Sequence, residues 1–318
     1  MDQIEITNKE RKQFIKDYKL PIPIYKLPYF TYYLEQYNDS HKTKEKYELF
    51  INAIKQLKLE NKQLKETSSN IINEVVKRLK EIPEYKEFLS APINNQKELP
   101  NDIQIYKKYD HNDPIYYISV DMITANFTVL KYFNPKIVLN CDTYNDFIKN
   151  FTDIEYFIKS KKYRQVIFGI LNAKKIRTMQ KFLLGELYDK IKNIVNITGR
   201  IETDELIIAT TKSNMRDGYN KIIKAIDTLP ENMKKIWRVT PTYIQQLGTS
   251  TCFIKKTIIN LELPYDEKTN VKEEITNIEK DYYAQAYKFY KKEEIHPYDM
   301  MAMKDKYVIT FEEKYEFV

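Results

Sequence analysis

An α+β fold, with a central, mostly antiparallel sheet and a helical N-terminal region, is the class predicted for this 318-residue chain. Three observations predict it. Apolar residues recur every three or four positions through the first hundred residues, as they do on helix faces. Beyond residue 100, short runs of β-branched and aromatic residues alternate with turns, as strands do. At 42% hydrophobic and 31% charged, the chain has the balance of a folded protein with a sizeable core.

The elements follow in order. Residues 1–100 read as a helical region. Its start, LPIPIYKLP, is an extended strip because each proline removes a donor and pushes its predecessor away from α. A short aromatic helix is expected from about Pro28 to Tyr37. A long helix then runs from His41 to about Glu66, with Tyr47, Phe50, Ile51, Ile54 and Leu57 inward. A second spans Ser69–Ile82, capped by Ser68 or Ser69 and stopped by Pro83. The polar stretch Asn94–Pro100 marks a domain edge, and 101–318 forms the α+β core.

In that core a strand is expected at 103–109, a turn at Asp110–Pro114 and a central strand at Ile115–Val120. Pro135–Cys141 reads as a further strand and Asn145–Ile158 as a helix. A basic helix covers 173–195 and an acidic hairpin 199–210. Asn214–Leu229 is helical, and Ile236–Leu247 and Cys252–Leu261 form a hairpin, with Pro241 suggesting an edge position. A loop at Pro264–Thr269, a helix at Glu273–Lys291 and a half-buried strand near the C-terminus complete the reading.

The densest functional signal is the acid-free stretch Tyr156–Gly185. It carries Lys159, Lys161, Lys162, Arg164, Lys174, Lys175, Arg177 and Lys181. Elsewhere acids and bases alternate closely, so this local asymmetry is of the kind that makes phosphate contacts. Lys174, Arg177 and Lys181 fall three and four apart, on one helix face. A solvated Lys/Arg face is the plainer alternative. On either side in sequence lie carboxylates. Asp121 ends the candidate central strand, where it either caps the next helix or holds a metal or substrate. Asp204 and Glu205 sit in the hairpin turn, where they either point into water or share a cation. Should the two strands be neighbours, the carboxylates converge on one spot suited to Mg²⁺ and a triphosphate.

Several classes are disfavoured. The three histidines are scattered and the two cysteines, Cys141 and Cys252, are far apart, which argues against a structural zinc site or a disulfide framework and for a reducing compartment. No apolar run is long enough to span a membrane and the N-terminus lacks a signal-peptide core. There is no P-loop and no dinucleotide fingerprint. The expected location is intracellular, in cytoplasm or a viral factory. The aromatic helix DYYAQAYKFYKK reads either as core tyrosines or as a stacking surface for nucleic acid.

The order of these elements resembles the palm of template-directed nucleotide polymerases of the DNA polymerase I and phage RNA polymerase type. The resemblance covers about residues 115–210. It implies Asp121 and Asp204 as metal ligands, with Glu205 as neighbour, and Mg²⁺ as cofactor. It also implies Arg177 and Lys181 as the phosphate-binding pair of a fingers helix, and the helices of 41–82 as a thumb. Thr203 stands where the family's hairpin has His, and Gly185 and Tyr188 lie at shifted spacing beyond Lys181. The function this implies is Mg²⁺-dependent nucleotidyl transfer on nucleic acid. The alternatives are a metal-dependent nuclease, a non-enzymatic nucleic-acid-binding protein of a virus or mobile element (DNA or RNA), and a structural or interaction module whose partners meet the N-terminal helices.

Overall fold

The computed structural model describes residues 5–93, 97–106, 113–263 and 270–317. It is an α+β fold with N-terminal helices and a central antiparallel sheet. In chain order the first helices are α1 (Asn8–Tyr18), α2 (Tyr29–Gln36), α3 (Asn38–His41), α4 (Thr43–Leu59), α5 (Leu64–Glu81) and α6 (Pro83–Ser90). Then come β1 (Ile115–Met122), α7 (Ala125–Phe133), α8 (Tyr144–Ile148), α9 (Glu155–Lys159), α10 (Lys161–Ile170) and α11 (Ala173–Ile191). The remainder comprises β2 (Ile197–Ile201), β3 (Glu205–Thr210), α12 (Met215–Ile226), α13 (Glu231–Lys234), β4 (Trp237–Gln246), β5 (Phe253–Ile258), β6 (Val271–Thr276), α14 (Tyr283–Lys291), β7 (Met301–Lys304) and β8 (Tyr307–Thr310).

The chain divides into two compact units, and not at residue 100. The first holds residues 1–78, 142–170 and 278–318; the second holds 79–141 and 171–277. Each is assembled from segments distant in sequence, because long-range packing rather than a linker sets the division.

The first unit is helical, with the two-stranded sheet β7–β8. α1 starts on a reciprocal cap in which the Thr7 hydroxyl accepts from Glu10 N (3.2 Å) and the Glu10 carboxylate accepts from Thr7 N (2.7 Å). Its Phe14 packs edge-on against Phe30 and beside Phe50, and Phe50 meets Tyr156 of α9. All four rings are almost wholly buried. Asp17, also fully buried, accepts from Tyr156 Oη and from Lys162 Nζ, each at 2.6 Å, which ties α1 to α9 and α10. Tyr283 and Tyr287 of the aromatic helix are buried, as core residues.

The second unit is built on the six-stranded sheet, in the order β2-β3-β1-β4-β5-β6 with every pairing antiparallel. Its first four strands, β1-helices-β2-β3-α12-β4, are interleaved so that β3 separates β1 from β2 and β1 separates β3 from β4. This is a double split β-α-β arrangement. One face buries Ile118, Val120, Met122, Leu206, Ile208 and Trp237. α12 lies against it, close enough that a methyl group on Gly218 would meet Ile118 Cδ1 at 3.1 Å. Asn101–Ile103 runs beside β2, with Ile103 N donating to Arg200 O, and leads onto the other face. There Ile103, Ile105 and Tyr106 pack on Tyr117, Ile207 and Ile244.

Several expectations are corrected. The helix expected over 41–66 ends at Leu59, and Asn61 turns the chain with φ of 55°. α5 begins at Leu64, so Ser69 lies inside it and its hydroxyl donates back to Lys65 O. Pro135–Cys141 is no strand: Pro135–Val138 forms a 3-10 turn whose first N–H is capped by the Asn134 side chain. Asn145–Ile158 breaks into α8 and α9. The first part of the helix expected at 273–291 is β6, where Val271, Ile275 and Thr276 favour the extended chain and β5 offers a partner. Pro241 lies in an inner strand. The ladder from β4 to β5 starts at Thr242, so on that side the proline has no partner to lack. Ile103–Tyr106 is not a strand either; the rest of that expected strand, part of the Asp110–Pro114 turn, part of the Asn94–Pro100 edge and the loop 264–269 lie outside the described residues.

Candidate site at the acidic end of the sheet

The site begins with register. β1 pairs with both β3 and β4, so Asp121 stands opposite Glu205 on one side and Arg238 on the other. Residues directly opposite one another point to the same face, with Cβ atoms about 5 Å apart. A row Glu205–Asp121–Arg238 therefore crosses three strands at one end of the sheet. Ser119, two residues back on β1, shares that face, and its hydroxyl donates to Glu205 Oε1 at 2.5 Å. Asp204 precedes Glu205 in the hairpin turn, and its carbonyl accepts from Met122 N at 2.9 Å. Glu202 opens that turn with φ of 50°.

Arg238 takes both oxygens of Asp121: Nε to Oδ1 at 3.0 Å and Nη2 to Oδ2 at 2.6 Å. This is the two-pronged fit of guanidinium to carboxylate. The Asp121 side chain is 22% exposed and that of Arg238 63%. Burial, then the neighbouring charges of Glu202, Glu205 and Asp121, push the Asp204 carboxyl up to about 6. Burial also raises Glu205, against the opposing pull of the Ser119 hydroxyl, Lys255 and Arg238. The Asp121 carboxylate in turn holds the Arg238 guanidinium above its ordinary value.

The basic helix reaches this end of the sheet through one buried side chain. Gln180 of α11, 4% exposed, accepts from Thr203 Oγ1 at 2.7 Å and donates to Asn126 Oδ1 of α7 at 2.9 Å. α11 starts at the Asn172 cap, whose Oδ1 accepts from Lys175 N. Lys174 and Arg177 are exposed and Lys181 half-buried. Among the described residues none of these three has an acidic partner, and neither Arg177 nor Lys181 pairs with Asp121, Asp204 or Glu205. The cations that act on the carboxylates are Arg238 and Lys255. Lys175 donates to Ala91 O instead.

The acid-free stretch is therefore not one surface. Lys159, Lys161, Lys162 and Arg164 belong to the first unit, and Lys174, Lys175, Arg177 and Lys181 to the second. Lys162 is bound to buried Asp17, Arg164 lies over the Tyr144 ring and Lys159 pairs with Glu155.

Mg²⁺ requires a near-octahedral shell of oxygen ligands. Both Asp121 oxygens accept from Arg238 and one oxygen of Glu205 accepts from Ser119. Among the described residues no three or more potential ligands are grouped to hold a metal ion. As arranged, these residues do not fit Mg²⁺. The sequence reading missed Arg238, Ser119 and Gln180. Ser119 had a local signal, as the one serine in the run Ile115–Val120, otherwise of aliphatic and aromatic residues, and two residues from Asp121. Arg238 had none, since only pairing brings it to Asp121.

Among the described residues no helix is long and apolar enough to cross a membrane. No family model, no curated protein and no solved structure matches the chain.

Proposed function

We propose that the second unit is a palm-like module that binds the phosphates of nucleic acid or nucleotides through α11. One observation carries this. Among the described residues α11 shows Lys174, Arg177 and Lys181 on one face without acidic partners, whereas nearby Lys97 pairs with Glu186 and Asp189, Lys192 with Asp189, and Lys175 donates to Ala91 O. A helix face kept free of acids suits an anionic partner. The double split β-α-β order and the acidic hairpin beside α11 support the palm-like reading.

The test is anisotropy of labelled single- and double-stranded oligonucleotides, in EDTA, across a salt series. Alanine at Lys174, Arg177 and Lys181 together should weaken binding and lower the log-log salt slope by roughly 2 to 3, about one counterion for each phosphate no longer neutralised. Alanine at Lys159, Lys161 and Arg164 should change the slope little. Binding that ignores salt, or a slope unmoved by the α11 substitutions, defeats the reading.

The register that sets Asp121 opposite Glu205, with Asp204 the next residue, supports a second reading, nucleotidyl transfer or phosphodiester hydrolysis with Mg²⁺. It needs Asp121 to leave Arg238. Mg²⁺-dependent primer extension or strand cleavage that Asp121→Asn and Asp204→Asn both abolish would establish it.

A further inference from the structure

The row Glu205–Asp121–Arg238 is fixed by strand pairing rather than by a mobile loop. Two like charges directly opposite in neighbouring strands destabilise a sheet unless a cation compensates them. In this corner the cation is already present. We infer that Arg238 is the resident cation of the acidic corner, standing beside Asp121 and Glu205 in place of a divalent metal, and that phosphate binding by this unit needs no divalent ion.

The geometry supports this on three counts. First, the fork of Arg238 closes both Asp121 oxygens. A metal ion at about 2.1 Å from those oxygens would have only their remaining lone pairs and would stand beside the guanidinium charge. Second, Arg238 also acts on Glu205, as does Lys255 from β5, so the positive charge is spread over the row rather than spent on Asp121 alone. Third, the cation is arginine. Its guanidinium stays protonated throughout the pH range of a folded protein, so the pair is not released by deprotonation as a lysine pair is in strong alkali. The outward N–H groups of this exposed side chain remain for a phosphate oxygen. This inference rests on the phosphate-binding reading above and specifies it, since it assigns that binding without a divalent ion.

Mn²⁺ serves as the probe. Its uptake by the full chain is followed at neutral pH by electron paramagnetic resonance of the free ion. The wild-type chain should take up none at concentrations up to the order of 1 mM, the weak end of carboxylate sites for divalent cations. Arg238→Ala should create a site, and adding Asp121→Asn to it should lower that affinity by roughly tenfold or more. Circular dichroism checks the fold, and Arg238→Gln replaces the alanine variant if that one fails to fold. The inference is overturned if wild-type protein takes up Mn²⁺ in a manner lost in Asp121→Asn, or if a folded Arg238 variant gains no uptake. Oligonucleotide binding by the wild-type chain in EDTA is scored separately. Its absence defeats the proposed function, whereas its presence together with wild-type Mn²⁺ uptake defeats this inference alone.

Discussion

Asp204→Asn should stabilise the protein at neutral and alkaline pH and lose that advantage in acid. Asp204 is half-buried in a turn among the carboxylates of Glu202, Glu205 and Asp121, and its carboxyl is pushed from 3.8 up to about 6. A raised value means that the native state holds the proton more tightly than the unfolded chain. The group's contribution is thus most favourable below the unfolded value of 3.8, falls as pH rises towards about 6, and is a constant penalty above that. Each pH unit of difference corresponds to about 1.4 kcal/mol, giving an upper bound near 3 kcal/mol. Solvent reaches part of the side chain, so screening reduces this to about 1–2 kcal/mol. Asparagine keeps the shape and removes the charge. Urea unfolding, followed by fluorescence of Trp237, reports on the site, because this one tryptophan pairs with Met122 and adjoins Arg238. At pH 8 the midpoint of the variant should rise by roughly 0.5–1 M, given a urea dependence of about 2 kcal/mol per molar. Near pH 4 the two proteins should coincide. An Asp204→Asn protein no more stable than wild type at pH 8, or one whose gain is the same at both pH values, refutes the reasoning.

Three further outcomes follow from packing. Gly199→Ala would bring a Cβ within 2.9 Å of the Asn101 carbonyl oxygen and closer still to Ile103, so a loss of about 1–3 kcal/mol is expected. A thermal melt unchanged from wild type would show that Asn101–Ile103 is not held against β2 as described. Lys162→Met leaves the fully buried Asp17 without its cation and should cost about 3 kcal/mol, against about 1 for Tyr156→Phe. Denaturation that ranks the two the other way would remove the ion pair from its role in joining α1 to α10. Gln180→Leu strands the Thr203 hydroxyl and the Asn126 amide, and should destabilise by about 1–3 kcal/mol. Amide exchange in the 202–204 turn should quicken in that variant; protection at the wild-type level would detach the turn from α11.

Much of the local structure was legible in the chain. The run Ile115–Val120 shows a strand because β-branched and aromatic residues suit a pleated, buried ribbon, and it lies in the centre of the sheet. The spacing of Ile176, Leu183 and Leu187 marks the buried face of α11, and Thr203-Asp204 marks a turn between two apolar runs. The failures have one cause. Glu273–Lys291 carries enough apolar spacing for a helix, and only the open edge of β5 decides that Val271–Thr276 extends instead. Pro241 signals an edge to a reader of one strand, yet it is tolerated inside the sheet because one ladder stops beside it.

The same division runs through the site. Sequence alone placed Asp121 near the end of a strand, Asp204 in a turn, and Lys174, Arg177 and Lys181 on one helix face, because each depends on periodicity within a few residues; Glu205, expected in that turn, instead begins β3. Tertiary structure alone decided that Asp121 faces Glu205 and is held by Arg238, 117 positions further on. It alone parted the acid-free stretch between two units, leaving Lys162 on Asp17 and the α11 cations on an open face. Those outcomes depend on which strands pair and in what register, and chain-local chemistry carries no record of a partner a hundred residues away.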